Sequence, residues 1–163
     1  MSALKILVIP GSLRTGSLNA KLAAAAAYAF AQADVEVTRI SLGDFPLPIY
    51  DGDLQNKSGV PKNAINLKRI IGAHQGVLIV TPEYNSSVPP LVKNTIDWVT
   101  RVQDPHETRG QVFRERAFAI AAASQSRLGG TRDRATRARF TVAACLRARA
   151  QRSIPRRGRR QQP

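Results

Sequence analysis

Two short polar stretches hold the residue types from which a binding site could be built. The first, GSLRTGSLN over residues 11–19, stands between the apolar run LKILVIPG (4–11) and an Ala-rich segment. A glycine at the end of a strand permits a tight turn and close approach of a ligand. Free N–H groups at the start of the next helix attract an anion. Ser12, Ser17 and Asn19 can add hydrogen bonds, and Arg14 supplies a charge partner. Ser17 is equally placed to cap the helix. The loop has no Gly-Lys-Ser/Thr and no GxGxxG, so it is neither a Walker loop nor a dinucleotide fingerprint.

The second stretch, TPEYNSSVPP over residues 81–90, follows the apolar run GVLIV. Pro82 and Pro89 stiffen a corner. Tyr84 offers either an aromatic wall or a lid over the core, and Glu83 either a site carboxylate or a solvated charge. Asn85, Ser86 and Ser87 carry donors and acceptors suited to the edge of a heteroaromatic ring. Downstream, Asp97 and Trp98 read as helix packing, while Lys93 and Asn94 face either a neighbouring subunit or solvent. No Ser-His-Asp or Cys-His arrangement is visible. His74 and His106 have no partner at metal-ligand spacing, so no zinc site is expected.

The elements that must position these loops follow from pattern. LKILVIPG (4–11), QGVLIVT (75–81) and RAFAIAAAS (116–124) are continuous apolar runs, as expected for strands buried on both faces of a parallel sheet. VEVTRISL (35–42) is β-branched and reads as another strand. Helices are predicted over 18–33, 62–73 and about 89–101, with a long Pro- and Gly-rich loop over 43–61 and a polar loop over 104–115. This alternation implies a three-layer α/β domain with a doubly wound parallel sheet. Ligands of such sheets sit at the carboxyl ends of the strands, where loops 11–17, 82–88 and 124–130 fall.

The chain has 163 residues, 43% of them hydrophobic, enough for one domain with a real core. No apolar run approaches a bilayer span, and no secretory leader is evident. One cysteine, Cys145, excludes an internal disulfide framework and fits a cytoplasmic location. The net charge of +14 is unevenly spread: residues 1–126 carry a net +3, and residues 127–163 a net +11 made of arginine without lysine. The division expected is therefore a domain over 1–130 and an Arg-rich tail over 131–163. A short helix around 135–149 fits part of that tail, and RSIPRRGRRQQP is expected to be disordered. Three readings of the tail stand: a phosphate-binding segment, a solvated one, or GC-rich DNA translated out of frame.

GSLRTGSLN, LPIYDGD and LIVTPEYNSSVPPLVKNTIDW together resemble the NADPH-dependent FMN reductases, a family that includes quinone, chromate and azo-dye reductases. The resemblance spans residues 4 to about 130 and implies a flavodoxin-like fold with non-covalent FMN. It implies that Ser12, Arg14, Ser17 and Asn19 form the phosphate loop. Pro82, Glu83, Tyr84 and Asn85 would lie against the isoalloxazine, and Ser124, Gly129 and Gly130 would belong to a third flavin loop. NADPH or NADH would be co-substrate, with hydride passing to the flavin and two electrons onward to a small-molecule acceptor. Homo-oligomers are implied, with no membrane partner, and the neutral globular part argues against nucleic acid. Two departures stand out. Pro90 replaces a frequent glycine, and beyond LGG the expected amphipathic helix and final strand are not legible, so the last strand is missing or altered; a frame shifted near residue 131 would leave the 116–124 strand with an open edge. Two rivals remain: an electron carrier that does not oxidise pyridine nucleotides, and a binder of nucleic acid or acidic surfaces through its tail.

Overall fold

The computed structural model describes residues 3–114, 116–125 and 136–141. In chain order the elements are β1 (Lys5–Pro10), α1 (Leu18–Gln32), β2 (Glu36–Arg39), a 3-10 turn (Leu42–Asp44), α2 (Gly52–Ser58), α3 (Lys62–Gly72), β3 (Gly76–Val80), α4 (Pro90–Val99), α5 (Gln111–Arg114), β4 (Ala117–Gln125) and β5 (Thr136–Thr141). They form one sheet in the order β2-β1-β3-β4-β5. The first four strands are mutually parallel, and β5 runs antiparallel to β4.

Alternation along β1 explains the layers. Leu7 and Ile9 enter one cluster with Leu67, Ile71, Val77, Val92 and Val99 under α3 and α4. Val8 points the other way, into a cluster with Ala23 of α1, Leu78, Val80 and Ala121. A strand apolar on both faces is what two covering layers require. Helix α3 buries Ala64, Leu67, Lys68 and Ile71, a helical stripe interrupted by one charge. Helix α4 opens with Pro90 at a first-turn position, where its missing N–H costs nothing. The three-layer, flavodoxin-like arrangement is the one expected.

Three local readings are corrected. The 43–61 segment contains the 3-10 turn's end and all of α2, rather than being loop throughout. Helix α2 buries none of its residues, so its sequence shows no apolar period; it is held by its ends. The Asp51 carboxylate accepts from the Asp53 N–H at 2.8 Å, and Gly59 closes it at φ 75°. The polar stretch 104–115 likewise includes the single turn α5, pinned by buried Val112. The short helix expected around 135–149 is a strand over 136–141, paired with β4 from Ile120↔Thr141 to Gln125↔Thr136. The β4 edge that a shifted frame would leave open is therefore occupied. Its unpaired backbone groups supply a ladder that local helix propensity does not outweigh. The rest of that segment and of the Arg-rich tail lies outside the described residues. Among the described residues no helix is long and apolar enough to cross a membrane.

Candidate functional site at the carboxyl ends of the central strands

Strand order reverses at β1: the chain leaves it for β2 on one side and returns to β3 on the other. The loops after β1 and β3 therefore leave from adjacent carboxyl ends. The backbone locks them together. Gly11 donates its N–H to the Val80 carbonyl at 2.8 Å, and Thr81 donates to Ala121 at 2.9 Å. A Cβ on Gly11 would lie 2.6 Å from Thr81 Oγ1 and 2.7 Å from a Val92 methyl. The missing side chain thus serves a protein contact, letting the first loop rest directly on the start of the second.

In the first loop, Ser17 is buried and caps α1: its hydroxyl accepts from the Ala20 N–H at 3.4 Å. Ser12 Oγ accepts from the Arg14 N–H at 3.4 Å, and Gly16 takes φ 70°. The N–H groups of Leu13, Thr15 and Gly16 meet no acceptor among the described residues. Leu18 and Asn19, in the first helical turn, have no intrahelical acceptor for theirs. Arg14 is exposed beside them, and the loop contains no carboxylate. Such a donor cluster suits a phosphate. The Asn19 side chain has a different engagement. Its Nδ2 donates to the Ala123 carbonyl at 3.1 Å, and its Oδ1 accepts from the Ala123 N–H at 2.9 Å.

The proline corner closes as a tight turn. Tyr84 and Ser87 exchange both backbone hydrogen bonds, at 2.8 and 3.1 Å. Asn85 and Ser86 between them sit at φ 51° and 62°. Two successive left-handed residues mark the primed hairpin geometry. The turn leaves Tyr84 51% exposed, so its ring is not a lid over the core. Pro82 is half-buried, Glu83 and Asn85 are exposed, and Pro89 is buried at the entry to α4. In the third region, Ser124 lies in β4 with its backbone opposite Arg137. Gly129 and Gly130 lie outside the described residues.

One feature of the surroundings was not legible in the sequence. The LPIYDGD segment is latched onto α4. Trp98 is fully buried and donates Nε1–H to the Pro48 carbonyl at 2.7 Å. Asn94 donates to the same oxygen at 2.9 Å and accepts from the Tyr50 N–H at 2.8 Å. The Tyr50 ring meets Trp98 edge-on at 5.1 Å, with the Arg101 guanidinium 4.5 Å from its centre. Trp98 is thus packing, as expected, and the half-buried Asn94 turns its amide toward the LPIYDGD segment. Lys93 pairs with Asp97 one turn on, at 2.6 Å.

Comparison with known proteins bears on this geometry. Residues 4–154 match the family described as NADPH-dependent FMN reductase. The chain is 38% identical over 130 residues to the quinone reductase of Escherichia coli K12, a match covering 79% of this chain and 64% of that protein. It is 43% identical over 99 residues to a 2-hydroxy-1,4-benzoquinone reductase of a Burkholderia species, covering 61% of this chain and 51% of the relative. Among solved structures, it superposes on FerB of Paracoccus denitrificans, a flavoenzyme NAD(P)H:(acceptor) oxidoreductase. The TM-score there is 0.60 with 33% identity, over 78% of this chain and 64% of that one. The matched region thus spans between about half and just under two thirds of these relatives' length. With the family match running over nearly the whole sequence, the chain belongs to the NADPH-dependent FMN reductase family.

Proposed function

We propose that the chain is an FMN-dependent NAD(P)H oxidoreductase that delivers two electrons to a small-molecule acceptor of the quinone, chromate, azo or flavin class, acting in the cytoplasm. The observation that carries this reading is the seat of Gly11 against Thr81, which brings a phosphate-suited loop beside an exposed tyrosine corner. Relatives named as quinone reductases favour a quinone among the acceptors.

Ser12, Arg14 and the free N–H groups of the first loop hold the phosphate, with Ser17 fixing the helix start beneath it. Asn19 keeps the same helix in register with the end of β4. Pro82, Glu83, Tyr84 and Asn85 form the shelf for the ring, and Ser124 borders it from the end of β4. Bound FMN supplies the redox chemistry, accepting two electrons from the nicotinamide and releasing them to the acceptor. The protein's part is to orient its partners, which needs reacting atoms brought to roughly 3–3.5 Å. A rigid, half-open corner does this without a side-chain acid or base.

Protein reconstituted with FMN is expected to oxidise NADPH or NADH in the presence of benzoquinone far faster than the same concentration of free FMN. A rate no higher than that of free FMN would overturn the proposal.

A further inference from the structure

A groove of about 180 Å³ lies between the first loop and the segment following β2. That is less than a whole small-ligand site of roughly 300–1,000 Å³ and suits one substituent of a ligand rather than an entire one. Leu13 forms one wall, Phe45, Pro46 and Leu47 another, and Leu91 of α4 lines it as well. Two of these residues tie the groove to the site already described. Leu13 lies between Ser12 and Arg14 of the phosphate loop, and Leu91 follows the proline corner directly. The groove therefore opens beside both loops that make the shelf.

Its chemistry is one-sided. Among the described residues, the only polar side chains lining it are Asn94 and Thr95. Asn94 spends its amide on Pro48 and Tyr50, and Thr95 donates its hydroxyl to the Leu91 carbonyl at 2.8 Å. A polar ligand group entering here would give up water for side chains already committed to other partners, whereas an apolar one would lose nothing. The Leu13 wall is set by Gly43: a Cβ there would stand 3.3 Å from a Leu13 methyl, tighter than ordinary contact.

We infer that this groove receives the apolar substituent of the electron acceptor, so that the chain favours quinones carrying an alkyl or prenyl tail over bare ones. The inference rests on the reductase reading above and adds a substrate class to it. The quinone ring sits at the tyrosine corner and the tail runs along Leu91 between Leu13 and Leu47.

The test is kcat/KM of the FMN-loaded full chain for benzoquinones bearing hydrogen, methyl, butyl and decyl substituents. Each buried methylene is worth about three- to fourfold. The expected series rises with chain length and levels off once the groove is full; a flat series overturns the inference. The Leu47→Gln variant is expected to lower kcat/KM for the decyl compound about tenfold while leaving benzoquinone turnover unchanged. Equal loss for both overturns the inference. Should Leu47→Gln fail to fold, the wild-type series decides alone. Absence of turnover with benzoquinone itself would count against the reductase reading. Calorimetric binding of the decyl compound then decides the groove: an affinity about tenfold above that for benzoquinone supports it, and equal affinities overturn it.

Discussion

Asn19 and Ala123 are 104 positions apart in sequence, yet the Asn19 amide pairs with both backbone groups of Ala123 as another strand would. A side chain near the start of α1 thus extends the ladder of β4 just where the strand approaches its carboxyl end. Both residues are buried, so no water is at hand to replace either bond. Asn19→Leu leaves a buried N–H and a buried carbonyl unpaired, at roughly 1–3 kcal/mol each. The expected result is a loss of about 2–5 kcal/mol in denaturant unfolding. Asn19→Asp keeps the acceptor but sets a carboxylate against the Ala123 carbonyl, and is expected to be at least as damaging near neutral pH. A loss under 0.5 kcal/mol for either variant would show that the pairing contributes nothing.

Gly11 is the other fixed point of the site. Gly11→Ala drives a methyl against the Thr81 side chain and a Val92 methyl, neither of which is the free end of a long chain. Overpacking of this kind costs about 1–3 kcal/mol. Because the strain falls between the two loops, FMN affinity is expected to drop about tenfold or more, measured by flavin fluorescence quenching. Gly16→Ala meets no atom within 4 Å but must hold φ 70°, so its cost of about 1 kcal/mol is purely conformational.

The corner turn stores a smaller strain. Asparagine tolerates the left-handed region, but Ser86 at φ 62° does not. Ser86→Gly is expected to stabilise the protein by about 0.5–1 kcal/mol, seen as a higher melting temperature. Ser86→Val is expected to destabilise it by more than that gain. If both shift stability in the same direction, the turn geometry is not what limits this position.

Legibility in the sequence tracked burial. Strands β1 and β3 are apolar on both faces, and α3 buries residues at helical spacing, so pattern alone finds them. Helix α2 buries nothing and depends on Asp51 and Gly59, a signal carried by two residues rather than a period. Strand β5 gets its hydrogen bonds from β4, and local propensity cannot reveal a partner. The site divides the same way. Loop residue types marked Ser12, Arg14, Tyr84 and Asn85 as candidates. The destinations of Asn19 and Asn94 are backbone groups 104 and 46 residues or so away, and no spacing rule reaches that far.

Lys68 is the buried charge in the α3 stripe, and its partners come from the loop after α4. Its ammonium donates to Asp104 at 2.7 Å and also to Glu107. Burial is the largest influence on this lysine and pushes its pKa down. The hydrogen bonds and attraction to Asp104 and Glu107 together outweigh burial, leaving the pKa raised above its ordinary 10.5. A lysine that holds its proton more tightly folded than unfolded adds stability in full below pH 10.5. That contribution declines as pH climbs past 10.5 toward the higher folded value and is gone above it. Unfolding free energy is therefore expected to fall with pH in this alkaline window, and Lys68→Met is expected to flatten the decline. Asp104 is largely exposed, so the carboxylates left behind can recover water. The methionine variant is accordingly expected to lose under about 2 kcal/mol near neutral pH, far less than a stranded buried charge would cost. An alkaline slope unchanged in Lys68→Met would assign that slope to another group.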